Sequence, residues 1–163
     1  MRIREIMSHP VVTCPPGSTL DSVARLMWEF DCGIVPIVGD DGRLSGVITD
    51  RDICMAAYTQ GKPLSTIPVT SAMAAQVFSC HTDDTVETAE RVMRDNQIRR
   101  IPVLDQENRP VGILAMSDIA RVAAHAKRSG VDRELVQTLA AVCTPRTARA
   151  RANNIIVAPT VAA

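Results

Sequence analysis

Apolar residues change their spacing along this chain in a fixed order, and the order occurs twice. It begins with an extended piece, Val11-Val12-Thr13-Cys14, followed by turn-forming residues. Leu20, Val23, Ala24, Met27 and Phe30 then recur at the spacing of one helix face, with Ser18 standing where an N-cap belongs. Ile34-Val35-Pro36-Ile37-Val38 and residues 44–48 read as two strands joined by a hairpin turn at Asp40-Asp41-Gly42. A second helix over 50–58 closes the unit, and Gly61 terminates it.

Shifting the sequence by 66 positions lays one half on the other without a gap. Met7 falls on Met73, Val11 on Val77, Cys14 on Cys80, Pro36 on Pro102, Gly46 on Gly112 and Asp52 on Asp118. Val77-Phe78-Ser79-Cys80 thus repeats the extended piece. Asp84 precedes a helix bearing Val86, Ala89, Val92 and Met93, and Ile101-Pro102-Val103-Leu104 pairs with 111–114 across a turn at 105–108. A second helix over 117–126 ends before Gly130. Proline donates no backbone hydrogen bond, so Pro36 and Pro102 are expected at a strand start or edge. The pattern predicts an α+β fold of two β-α-β-β-α repeats, each with a three-stranded sheet and two helices, at 1–62 and 63–128. About 60 residues are near the lower limit for a self-sufficient core, so the copies are expected to pack on each other with pseudo-twofold symmetry.

Composition narrows the partners. The 163 residues are 46% apolar and 22% charged, as in ordinary globular proteins, and only Trp28, Phe30, Tyr58 and Phe78 are aromatic. Stacking on nucleic-acid bases is poorly supplied, and eighteen basic residues against eighteen acidic ones leave no global field for nucleic acid or anionic lipid. Any anion site must therefore be local. Charge at Arg2, Arg4 and Glu5 and the lack of a long apolar run predict a cytoplasmic protein without a membrane segment. Five widely spaced cysteines without a C-x-x-C pair, and three scattered histidines, argue against a disulfide framework or a metal site.

The chemistry concentrates where the second strand of each copy meets its second helix. Gly46-Val47-Ile48-Thr49-Asp50-Arg51-Asp52-Ile53 is echoed by Gly112-Ile113-Leu114-Ala115-Met116-Ser117-Asp118-Ile119. A strand ending in Thr that turns directly into a helix presents backbone N–H groups and a hydroxyl together, which suits an anion. Asp52, one turn on, can accept hydrogen bonds from ribose hydroxyls. The plainer reading is that Thr49 or Asp50 caps the helix and Asp52 favours its positive end.

These motifs, with Val35-Pro36-Ile37-Val38, its counterpart and the M-x-x-x-x-V opening of each copy, resemble a tandem pair of CBS domains (cystathionine β-synthase domains, a Bateman module) over about residues 3 to 126. The resemblance implies a cleft between the copies for AMP, ADP or ATP, with S-adenosylmethionine or NAD as further candidates. It also implies adenine contacts from Val12, Thr13, Cys14, Ile34, Val35 and Pro36, which with Thr49, Arg51 and Asp52 make a first site. Phe78, Ser79, Cys80, Arg99, Arg100, Ile101, Pro102, Ser117 and Asp118 make a second. The sites differ: Ala115 replaces the hydroxyl of Thr49, while Ser117 and the Arg99-Arg100 pair have no counterpart in copy one, so the competent site is expected to centre on Thr49 and Asp52, and the Asp118 site to be weaker, to take another ligand or to be empty. Those arginines are either phosphate ligands or solvated surface residues, and strand alternation lets at most one face a given site.

Beyond the repeats, Val131, Leu135, Val136, Leu139 and Val142 predict a helix over 131–142 in a C-terminal region, 129–163, that covers copy two or helps a partner dock. The end, 144–163, carries Arg146, Arg149 and Arg151 without an acid and is expected to be a flexible tail; Ile155-Ile156-Val157 could add to a sheet edge. With no nucleophile–base pair recognisable, the expected function is a nucleotide sensor without a catalytic residue or domain, acting through conformational change or an unidentified effector protein, and the resemblance implies a homodimer. The alternative is a homodimeric scaffold with vestigial pockets.

Overall fold

A computed structural model describes residues 1–125 and 129–144, with the side chains of 125–134 left aside. Two similar α+β halves pack together. The first contains α1 (Leu20–Glu29), β1 (Ile34–Val38), β2 (Leu44–Thr49) and α2 (Asp50–Gln60). The second contains β3 (Cys80–His81), α3 (Val86–Asn96), β4 (Arg100–Leu104), β5 (Pro110–Ala115) and α4 (Met116–His125), followed by α5 (Ser129–Cys143). The antiparallel ladders β1–β2 and β4–β5 have equivalent registers, including a bulge after Ile37 and after Val103. The symmetry reaches the left-handed backbone positions: Gly42 matches Asn108 at the hairpin turns, and Asp31 matches Gln97 after the first helix of each half.

Several expectations need correction. The second half has the three-stranded order β3-β4-β5, but the first has two strands and a single bridge between Cys14 and Ile37. Cys14 makes both hydrogen bonds available to it, from its N–H to the Pro36 carbonyl and from the Val38 N–H to its own carbonyl. In copy two the ladder continues through Thr82 N–H to Leu104 O at 3.1 Å, whereas the equivalent residue in copy one is Pro16, which has no N–H. The helix caps are Thr19 and Thr85 rather than Ser18 and Asp84; Asp84 instead accepts from the His81 N–H at 2.7 Å.

Pro36 and Pro102 sit in mid-strand, and β4 is the central strand of its sheet. The carbonyl of Pro36 faces Cys14, so its nitrogen faces the same side, before the first strand has begun. No ladder bond is lost there. Gly61 ends α2 in the left-handed conformation as expected, but Gly130 lies within α5.

The opening segment of each repeat crosses to the other half. Ile3 is fully buried in the core of the second half, with Val86, Met93, Ile101 and Leu114, while Val69, its equivalent, is buried in the core of the first. Ser8 and Ile113 exchange backbone hydrogen bonds of 2.9 and 3.0 Å, and Ala74 and Val47 do the same at 2.8 and 3.1 Å. Gly46 and Gly112 permit these crossings. A Cβ on Gly112 would lie 2.6 Å from the Met7 sulfur and 3.0 Å from the Ser8 carbonyl, and one on Gly46 would lie 2.7 Å from the Met73 sulfur. A side chain at either position would displace the methionine and press on the carbonyl of the crossing segment.

Helix α5 packs on α3 and α4. Leu135 and Val142 enter the second core, whereas Val136 and Leu139 face outward. The tail features Arg146, Arg149, Arg151 and Ile155-Ile156-Val157 lie outside the described residues. Among the described residues, no helix is long and apolar enough to cross a membrane.

Candidate functional site

A cavity of about 350 Å³ opens between the halves, at the lower end of the range for small-molecule sites. One wall comes from copy one: Val11 and Val12 before the first bridge, and Cys32, Gly33 and Ile34 where α1 gives way to β1. The facing wall comes from copy two: Arg100 at the start of β4, Ile113 and Ala115 on β5, and Ser117 and Asp118 in the first turn of α4. Apolar side chains thus oppose a guanidinium, a hydroxyl and a carboxylate.

The cavity draws on both expected residue sets, taking Val12 and Ile34 from the first and Arg100, Ser117 and Asp118 from the second. Cys14, Val35, Cys80 and Ile101 are packed in the two cores and do not line the cavity. Burial pushes the Cys80 thiol up to about 11, so it remains protonated. Pro36 and Pro102 are buried in mid-strand; Thr13, Phe78, Arg51 and Arg99 are exposed, and Ser79 is half-buried. Arg99 and Arg100 diverge as strand alternation requires: Arg100 lines the cavity and Arg99 does not.

Both aspartates serve their own helices. The Asp52 carboxylate accepts from the Thr49 N–H at 2.9 Å and the Thr49 hydroxyl at 2.6 Å, while the Thr49 oxygen accepts from the Asp52 N–H at 3.3 Å. This is a reciprocal capping box, in which the Thr49 proton is already given to Asp52. Asp118 repeats half of it, accepting from the Ala115 N–H at 2.8 Å through one oxygen and pairing with Arg121 through the other. Only 4% of Asp118 is exposed, so its carboxylate is held rigidly at the cavity wall. A carboxylate has about four lone-pair sites, and two remain for ligand hydroxyls.

Gly33 gives Arg100 its place. A Cβ there would stand 3.0 Å from the guanidinium carbon and 3.0 Å from a carboxylate oxygen of Asp50. The glycine therefore allows an arginine of copy two to lie across the chain of copy one, beside the first residue of α2. Burial raises the pKa of the Cys32 thiol, and a hydrogen bond with the Ile34 backbone and then the Arg100 guanidinium offset that rise only in part. Residues 30–33 of this wall were not among the expected site residues. The available signal was a local failure of the repeat: Phe30, Asp31, Cys32 and Gly33 stand against Asn96, Gln97, Ile98 and Arg99.

Fold and cavity together define a pair of α+β repeats with a cavity between them. The family model for the CBS domain matches residues 3–58 and 69–125, and the chain belongs to the CBS-domain family. It is 36% identical over 118 residues to CBS domain-containing protein YhcV of Bacillus subtilis, covering 72% of this chain and 82% of that one. Hypoxic response protein 1 of Mycobacterium tuberculosis is 34% identical over 143 residues, covering 87% and 94%. Among solved structures, the CBS-domain pair of protein MJ0100, in complex with 5′-methylthioadenosine and S-adenosyl-L-methionine, superposes with a TM-score of 0.70 at 27% identity. That match covers 77% of this chain and 97% of MJ0100's solved chain. The solved hypoxic response protein (TM-score 0.67, 34% identity, 74% and 98% covered) has two coordinated zinc ions. Among the described residues of this chain, no three His, Cys, Asp or Glu side chains come together as such a site would need.

Proposed function

We propose that this protein is a cytoplasmic regulatory module that binds an adenosyl ligand in the cavity between its repeats, without a catalytic domain of its own. The observation that supports this most is the opposition of Val12 and Ile34 to Arg100, Ser117 and Asp118 across one cavity. The apolar wall accepts the adenine, the Asp118 carboxylate accepts the ribose hydroxyls, and Arg100 with the first turn of α4 faces a 5′ substituent. The adenosyl ligands of the MJ0100 pair support the same ligand class. Because both repeats line the cavity, a ligand that contacts them together favours one relative placement of the halves, which is the output available to an effector. A thermal-shift series with AMP, ADP, ATP, NAD, 5′-methylthioadenosine and S-adenosylmethionine tests the reading. A ligand at about 100 times its Kd adds roughly 2.7 kcal/mol and raises Tm visibly, whereas no shift with any of them leaves a scaffold with vestigial pockets.

The module acts as a homodimer through the α1–α2 face. Trp28 and Tyr58 are 88% and 79% exposed, and Phe30 and Met55 also face solvent. In copy two the corresponding residues are Arg94, Ala124, Asn96 and Arg121, on the half whose helices α5 packs against. These four large apolar side chains are uncovered on the half against which α5 does not pack. Light scattering on the parent is expected to give a dimer, and the Trp28→Glu, Tyr58→Glu double variant a folded monomer. A monomeric parent, or a variant that stays dimeric, removes this face from the assembly.

A further inference from the structure

We propose that the cavity accepts an adenosyl group carrying no more than one phosphate, with Arg100 as the only side-chain cation that lines it among the described residues. This rests on the adenosyl reading above and narrows it. The charged side chains lining the cavity are Asp31, Arg100 and Asp118. Arg100 also lies beside Asp50, across Gly33. One guanidinium therefore shares this region with the carboxylates of Asp31, Asp50 and Asp118, of which Asp118 is offset by its pair with Arg121.

A single phosphate gains one charge-assisted contact from Arg100 and the partial positive charge of the α4 N-terminus. A second or third phosphate would bring further negative charge towards Asp31 and Asp50 with no additional side-chain cation to meet it. The chain itself shows how the opposite composition would look. Moving 66 positions replaces Gly33, Ile34 and Ser117 by Arg99, Arg100 and Arg51. Both members of the Ile34/Arg100 pair line the cavity, and at the other two positions the lining has the uncharged member, so these three pairs give it one cation, Arg100.

Cys32 supplies a reporter inside the cavity, because it is half-buried in the wall and carries a free thiol. Alkylation of Cys32, followed by peptide mass spectrometry at mildly alkaline pH, is measured with AMP, 5′-methylthioadenosine or ATP at equal concentrations. AMP and 5′-methylthioadenosine are expected to slow the reaction, and ATP to protect about tenfold less well, the factor that one charge-assisted contact carries. In Arg100→Ile, which places the copy-one residue at this position, AMP protection is expected to fall about tenfold while 5′-methylthioadenosine changes by less than about threefold. Protection by ATP equal to that by AMP, or unchanged AMP protection in Arg100→Ile, overturns the one-phosphate limit and leaves the adenosyl reading standing. A Tm shift without protection of Cys32 overturns the placement in this cavity. Neither protection nor Tm shift with any of the three overturns both.

Discussion

Replacing Ile3 with alanine will lower the stability of the whole chain by about 3 kcal/mol, the cost of removing a fully buried isoleucine side chain from a packed core. The distinctive part of the result is its location. Ile3 belongs by sequence to the first repeat but packs in the core of the second, where its N–H also donates to the Asp84 carbonyl at 3.0 Å. Amide exchange is therefore expected to accelerate first in β4 and β5, with β1 and β2 following only at global unfolding. Val69→Ala, the mirror substitution, should loosen β1 and β2 instead. Faster exchange in β1–β2 on substituting Ile3 would refute the crossed packing of the opening segments. Urea denaturation measures the loss, and the exchange pattern assigns it.

Asp118→Ala is expected to cost about 2 kcal/mol and to abolish the ligand-dependent rise in Tm. The stability loss comes from leaving the Ala115 N–H without its acceptor next to a buried side chain. The Arg121 partner adds little, because its side chain is 64% exposed and solvent screens it. Asp118→Asn separates structure from binding. Its amide oxygen can still accept from Ala115, so stability should fall by less than about 1 kcal/mol, while loss of the anionic acceptor for the ribose hydroxyls weakens binding about tenfold. Binding by Asp118→Asn equal to the parent's would remove the carboxylate from the ligand site. Asp52→Ala, at a half-buried position outside the cavity lining, should cost about 1 kcal/mol through the lost capping box and leave binding at the cavity unchanged.

Most of the fold was legible because each element carries a local signature. Leu20, Val23 and Met27 mark the buried face of α1 by spacing alone, and Gly42 marks a turn whose positive φ Asn108 also adopts in copy two. Elements failed to follow the pattern where a long-range bond decided the outcome. The first strand shrinks to a bridge at Cys14 because the next ladder donor would have to come from Pro16, and a strand's partner cannot be read from its own alternation. Pro36 survives in mid-strand because its nitrogen faces a stretch where no neighbouring strand has yet begun. The candidate site was partly legible in the same way. Asp118, Ser117 and Arg100 were visible as departures from or echoes of copy one, but residues 30–33 had no motif to announce them.

By itself the sequence determined two repeats of 66-residue register, the elements within them, the family to which the chain belongs and the inequality of Thr49 and Ala115. All of these follow from periodicity and residue identity within one stretch or its echo. Only the tertiary structure decided that residues 1–8 cross to the second half, that the strand residues of copy one face the helix start of copy two, and that Arg100 lies across Gly33. Those contacts join residues about 70 to 110 positions apart, and what selects them is the burial of each half's open face against the other, a term no local pattern contains.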